Sequence, residues 1–281
     1  MEDIFISKGR ASAHFFYRAV ATLLILCLAA CQSSELSVDF GTILTEQNID
    51  PARAAILIVN PDTGQSWSHG GERIDERFVA ASTSKIPHSL IALEEGYVAG
   101  PDTLFKWDGV KRWVEGWNQD QTMARAYARS AVWVFQDITQ TLGFEKMAAG
   151  LEMFNYGNKA IGTPDEITTY WLEGPLKISA REQVTFLTKL RAESFPLKAA
   201  TYKIGKEIMA SGRDDGRFAK TGWYYSDEHQ DIGWYVGWQA TPDGTYIFAF
   251  NMDMDDRAND PPKRVQVVEA ALAAILTPSI R

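Results

Sequence analysis

The sequence predicts an α+β fold in which N-terminal and C-terminal strands join in one antiparallel sheet flanked by helices, with an all-helical lobe inserted between them. Three observations lead there: an apolar run with its own turn and partner segment early in the chain, helical spacing through the middle, and strand character returning before a closing helix. With 281 residues, 46% hydrophobic and 12% aromatic, the chain can bury a full core. No internal repeat or low-complexity linker divides it.

Taken in order, residues 1–30 set Lys8, Arg10 and Arg18 ahead of an apolar stretch from Ala21 to Ala30, the pattern of an export signal and too short to remain as a membrane span. Leu28, Ala29, Ala30 and Cys31 resemble the bacterial lipobox. That resemblance implies a lipid on Cys31, a mature catalytic domain over 31–281 and a periplasmic protein tethered to a membrane; ordinary signal cleavage nearby is the alternative. The only other cysteine, Cys27, lies inside the apolar stretch, so the mature chain has no disulfide and no thiol nucleophile.

After a polar spacer, Ala54 to Asn60 reads as a buried strand, Pro61 to Gly64 as a turn and Gln65 to His69 as the returning partner. From Ser82 to about Leu190 helical spacing appears in Ile86 to Glu95, Ala124 to Leu142 and Ala180 to Arg191, with Gly96, Gly143 and Gly150 where stops are expected. Strands return in Phe218 to Tyr225, Gly233 to Gln239 and Tyr246 to Met252, the last two joined by a turn at Pro242, Asp243 and Gly244. Val265 to Leu276 closes the chain as a helix with Val265, Val268, Leu272 and Ile275 on one stripe.

Net charge is −8, and because the first thirty residues hold three cations against Glu2 and Asp3, the remaining 251 carry −9. So acidic a chain argues against a nucleic-acid partner, and an anionic small substrate then needs a local cationic clamp. His69, His88 and His229 are isolated, and Asp253, Asp255, Asp256 and Asp260 lack the glycine and final glutamate of a calcium loop, so no metal is expected. His88 reads as a polar packing residue and the acidic cluster as a solvated turn.

Ser82, Thr83, Ser84 and Lys85 set a hydroxyl and an amine three residues apart, on one face if a helix starts there. That is the arrangement of a nucleophile beside its base. Pro87 requires the helix to open with a tight first turn. Alone, the spacing is a weak signal, because a serine at a helix start is more often just an N-cap. It gains meaning from Lys220-Thr221-Gly222 on a predicted strand, with Ser130-Ala131-Val132 and Tyr156-Gly157-Asn158 between them, because Ser-x-x-Lys with a downstream Lys-Thr-Gly is the pairing of penicillin-recognising enzymes.

Ser130-x-Val132, Tyr156-Gly157-Asn158, Trp171-Leu172 and Lys220-Thr221-Gly222 resemble the signature set of class D (OXA-type) serine β-lactamases. So do Phe105 to Asp120, with Trp107, Trp113, Trp117 and Asn118, and Gly233-Trp234-Tyr235-Val236-Gly237; the resemblance runs from about Ala54 to Leu272. It implies a β-lactamase/transpeptidase-like fold and hydrolysis of penicillins through a Ser82 acyl-enzyme. It also implies a carbon dioxide-derived carbamate on Lys85 as general base in both half-reactions, and no other cofactor. Chemically, a lysine at its usual pKa of about 10.4 cannot accept a proton, whereas burial can lower it by about 3 to 5 units and free the amine.

The same resemblance assigns the remaining parts. Val132, Trp171 and Leu172 form an apolar wall, and the Trp171 indole N–H holds the carbamate. Ser130 relays a proton to the leaving nitrogen beside Lys220. The backbone N–H groups of Ser82 and Trp223 receive the oxyanion, with Gly222 leaving room for substrate. Thr221 and Arg264 bind the substrate carboxylate, with Arg257 as the competing arginine.

Ser84 departs from the phenylalanine usual in the class, which predicts a wetter or differently shaped wall beside Lys85. There is no Glu-x-x-Leu-Asn to supply a carboxylate base, and Ser226-Asp227-Glu228 falls after Lys220, so both half-reactions fall to Lys85. The competing readings are a β-lactam receptor domain, a D,D-peptidase and a noncatalytic lipoprotein. Tyr156-Gly157-Asn158 and Trp171-Leu172 favour the hydrolase.

Overall fold

The computed structural model describes residues 38–277. The expected export signal and Cys31 lie outside them, and no described helix is long and apolar enough to cross a membrane.

The first described element contradicts the polar spacer: Phe40–Glu46 is a helix, α1, whose N-terminus is capped by the Asp39 side chain accepting from Thr42 N. Strands β1 (Ala54–Asn60) and β2 (Gln65–His69) form the expected hairpin. At the other end, β8 (Asp231–Thr241) and β9 (Gly244–Met254) each extend two residues beyond the apolar pattern at both ends, because ladder hydrogen bonds continue into the polar turn residues, while β7 (Arg217–Tyr224) lies one residue earlier than expected. All five join in one antiparallel sheet of order β2-β1-β9-β8-β7. Four two-residue strands, β3 (Phe78–Val79), β4 (Leu104–Phe105), β5 (Gln121–Thr122) and β6 (Lys177–Ile178), form two small outlying ladders.

The sheet is covered on both faces, which is why β1 reads as an unbroken apolar run. Ala54, Ile56 and Ile58 pack with Phe40, Leu44, Val267, Val268 and Leu272 of α1 and α8 (Asp260–Leu276). Ala55 and Leu57 face the larger core beneath the helical lobe. On α8 the covered stripe is centred on Val267 and Val268; Val265 and Ile275, expected on it, sit only partly buried at its edges.

Helix α2 (Lys85–Glu94) runs through the lobe with every residue from Lys85 to Leu93 buried. A helix surrounded on all sides shows no single apolar stripe. Two glycines allow its neighbours that close. Gly150, expected as a stop, lies inside α5 (Phe144–Phe154), where a Cβ would fall 2.4 Å from Ile91 Cδ1. Gly205 of α7 (Ala199–Ala210) approaches Leu90 in the same way. The sequence reading did not anticipate either helix; α6 (Ala180–Arg191) matches its expected range and begins with a Ser179/Glu182 capping box.

The expected helix from Ala124 to Leu142 is two helices, α3 (Met123–Ala128) and α4 (Val132–Leu142). Ser130 between them has φ +54°. The break is held from outside: Trp117 Nε1 donates to Arg129 O at 2.9 Å, and Trp133 Nε1 donates to Trp117 O at 3.0 Å. Apolar periodicity runs across such a corner because both helices bury the same side.

Candidate active site

Ser82 lies in a tight 3-10 turn, Ala81–Ser84, that runs directly into α2, so Pro87 falls in the first turn where no backbone donor is required. Ala81 holds φ +47°, a conformation costing on the order of 1 kcal/mol for a residue with a side chain. The turn is braced by Thr83 Oγ1 donating to Ala80 O at 2.6 Å and Ser84 Oγ donating to Ala81 O at 2.7 Å. The Ser84 hydroxyl is therefore spent inside the turn, fully buried, and does not wet the wall beside Lys85.

Two residues the sequence reading left without a role complete the brace. Gln183 Nε2 donates to Thr83 Oγ1 at 2.8 Å, and the Tyr156 hydroxyl lies 3.2 Å from the same oxygen. Gly157 follows at φ +55° with a Cβ position 2.2 Å from Lys177 O, and Asn158 Nδ2 donates to Pro175 O. The Tyr-Gly-Asn motif thus ties the nucleophile turn to the loop after Trp171.

Lys85 Nζ is 2.8 Å from Ser82 Oγ. The amine is completely buried, with Nζ 4.2 Å from the Trp171 ring centroid and 5.1 Å from that of Phe135. Desolvation, then the Lys220 charge, push it well below the usual lysine range. Phe135 is a further wall residue, found by no sequence motif. Trp171 is fully buried and its Nε1 has no acceptor. A buried donor left alone costs about 1–3 kcal/mol, so an orphan beside a desolvated amine marks room for an acceptor. Val132 and Leu172 are partly buried against the same core.

Across the site, Lys220 Nζ donates to Ser130 Oγ at 2.5 Å and to Thr221 O at 3.0 Å. Burial, then the Arg264 charge, lower it to about 7. The corner at Ser130 and the edge strand β7 therefore bring Ser130 and Lys220 together. Gly222 is required for a different reason than expected: its Cβ position lies 3.0 Å from Thr83 Cγ2 and 3.1 Å from Trp234 Cβ, so a bare backbone lets β7 press against the nucleophile turn. That approach sets Trp223 N at the same edge as Ser82.

Arg264 is buried, donating from Nη1 to Gly222 O at 2.5 Å and from Nε to Pro261 O at 2.8 Å. Burial lowers it to about 10. It faces no carboxylate among the described residues. Arg257, its competitor, is occupied by Asp231, Asp227, Tyr225 and Ser226 O. A cavity of about 230 Å3 adjoins Lys220 and Thr221, with Tyr127, Arg213, Tyr235 and Val265 in its wall.

Elsewhere, no three metal-ligating side chains converge among the described residues. The acidic cluster is only in part the solvated turn expected: Asp255 and Asp256 are exposed, whereas Arg53 and Arg73 bind Asp253, and buried Asp260 accepts from Asp255 N and Asp256 N at the start of α8.

Residues 54–273 match the family described as penicillin binding protein transpeptidase domain. The chain is 36% identical over 259 residues to β-lactamase OXA-20 of Pseudomonas aeruginosa, covering 91% of this chain and 94% of that one. It is 35% identical to β-lactamase OXA-48 of Klebsiella pneumoniae over 72% of this chain and 76% of that one. Among solved structures, a class D β-lactamase from Nostoc superposes with a TM-score of 0.81 at 33% identity, covering 85% of this chain and 99% of that one. FUS-1 (OXA-85) from Fusobacterium nucleatum gives 0.78 at 34%, covering 84% and 97%.

Proposed function

The chain belongs to the class D serine β-lactamases, within the penicillin-binding transpeptidase family, and from that membership we propose that it hydrolyses β-lactams through an acyl-enzyme on Ser82 with Lys85 as the base. The observation that carries the assignment is the 2.8 Å contact between Lys85 Nζ and Ser82 Oγ in a chamber whose burial pushes the amine well below the usual lysine range.

Ser82 Oγ loses its proton towards Lys85 and attacks the lactam carbonyl; the oxyanion is received by the N–H groups of Ser82 and Trp223. The C–N bond breaks, and the leaving nitrogen takes a proton through Ser130 from the side of Lys220. Thr221 and Arg264 hold the substrate carboxylate. Water then releases the acyl group.

The chamber suits a carbamate formed from carbon dioxide and the Lys85 amine. Trp171 Nε1, buried without an acceptor, would hold one of its oxygens, with Val132, Leu172 and Phe135 excluding water. When bound, that group supplies an oxygen base for both half-reactions.

Pre-steady-state turnover of a penicillin with and without bicarbonate, followed by intact mass, tests the reading. The expected result is a transient Ser82 adduct and a rate that rises with bicarbonate. A persistent adduct without turnover would mean a β-lactam receptor, and turnover of D-alanyl-D-alanine peptide in preference to penicillin a D,D-peptidase. We also propose export to the periplasm with a lipid on Cys31, supported by Lys8, Arg10, Arg18 and the Leu28-to-Cys31 motif. Detergent-phase partition of the expressed protein, lost in Cys31→Ser, tests it.

A further inference from the structure

We propose that His88 is a positioning residue for the Lys85 chamber, holding the Trp171 indole in the orientation its orphan N–H needs; this deepens the carbamate reading and rests on it. His88 follows Lys85 by three residues as Lys85 follows Ser82, so the three share one stripe of the turn and of α2. The stripe runs from the nucleophile inward to the indole.

The imidazole is completely buried. Its ring meets Trp171 edge to face, with centroids 5.6 Å apart and planes at 80°. On its other side Nε2 lies 2.7 Å from the Tyr170 hydroxyl. That phenol has no other acceptor among the described residues, so its proton goes to Nε2 and the ring proton sits on Nδ1. The His88 ring is thus clamped by the residue preceding Trp171 and pressed against Trp171 itself. Lys85 Nζ occupies the indole's face at 4.2 Å.

His88 Nδ1 is also buried without a partner. Two orphan nitrogens thus sit on rings that pack together, one of which carries the Lys85 amine on its face. Leucine would spare the unpaired Nδ1 but would strand the buried Tyr170 hydroxyl, so the imidazole is tied to the residue preceding Trp171 and does more than fill space. The ring is neutral at working pH, since burial and the Lys85 charge hold its pKa at about 3. The groups packed against it from other elements are Tyr170 and Trp171, neither of which carries charge there, and Lys85 lies on its own helix.

The test is 13C NMR of the Lys85 carbamate in wild type, His88→Leu, His88→Gln and Tyr170→Phe, titrated with labelled bicarbonate, alongside the acylation burst with a penicillin. In His88→Leu the bicarbonate midpoint rises roughly tenfold or more, the size of one lost hydrogen bond, while burst amplitude at saturating bicarbonate is kept. Tyr170→Phe, which removes only the hydroxyl that orients the ring, moves it the same way, and His88→Gln, which keeps a donor, recovers most of the effect. Unchanged midpoints in both His88→Leu and Tyr170→Phe overturn the proposal. Absence of a carbamate signal in wild type overturns the carbamate reading itself, a separate outcome.

Discussion

Replacing Lys220 by methionine should change how stability depends on pH. Lys220 is 4% exposed, and its amine reaches only the neutral oxygens of Ser130 and Thr221. Its pKa falls from 10.5 to about 7 on folding. Above the unfolded value the amine is neutral in both states and costs nothing. As pH falls through the window from 10.5 to 7 the unfolded chain takes the proton and the folded one resists it, so stability is lost; below 7 the loss is complete. The gap of about 3.5 units corresponds to about 5 kcal/mol across the window, or about 1.4 kcal/mol per pH unit within it. Lys220→Met keeps the chain length and removes the titration. Urea unfolding of both proteins between pH 7 and 9.5 should give a wild-type stability that climbs about 1.4 kcal/mol per pH unit more steeply than the variant's. Parallel curves would mean that Lys220 is solvated enough to stay charged, and the account of its low pKa would fail.

Other substitutions separate the parts of the site. Ser82→Ala should give no mass adduct with penicillin, whereas Lys85→Ala should acylate slowly and retain the adduct for hours. Arg264→Ala should raise KM for penicillins about 10- to 100-fold, the loss of a charged hydrogen bond, with Arg257→Ala far weaker because that side chain is already occupied. Gly222→Ala forces a Cβ against Thr83 and Trp234, so kcat should fall on the order of 100-fold through displacement of β7. Gly150→Ala, against Ile91, should instead cost about 1–3 kcal/mol of stability and leave the rate of the folded enzyme unchanged.

The sheet was legible because strands that fold together carry their own turn residues: Pro61 to Gly64 and Pro242 to Gly244 mark two of its three hairpins. That Ser82 meets Lys85 was legible because Ser-x-x-Lys imposes a fixed spacing, and Lys-Thr-Gly marked the strand that carries Lys220 to Ser130. What stayed hidden depends on contacts between distant segments. Gly150 looks like a helix stop until Ile91 is packed so close that a Cβ there would fall 2.4 Å from its Cδ1. Ser130 looks like part of one long helix until Trp117 and Trp133 pin its corner. Gln183, Phe135 and Tyr170 act on the site across 27 to 100 residues or more of sequence, or through a ring face, and no local pattern announces them.

The site also accounts for how so acidic a chain receives an anion. Lys85, Lys220 and Arg264 are buried side by side, none opposite a carboxylate among the described residues, and each depresses its neighbour: the Arg264 charge lowers Lys220, and the Lys220 charge lowers Lys85. A β-lactam carboxylate at Thr221 and Arg264 brings the missing negative charge. At about 4 Å and an effective dielectric near 20 it is worth at most about 4 kcal/mol to a neighbouring ammonium, or about 3 pKa units. Substrate binding should therefore return Lys220 towards its ordinary value and charge it just when Ser130 must hand a proton to the leaving nitrogen. Because kcat/KM reports the free enzyme and kcat the complex, the alkaline limb should lie near pH 7 in the first and one to three units higher in the second. In Lys220→Arg, where the cation cannot be discharged in this range, the limb near 7 should vanish from kcat/KM. Coincident limbs in wild type would mean that the substrate carboxylate lies too far from Lys220 to set its charge.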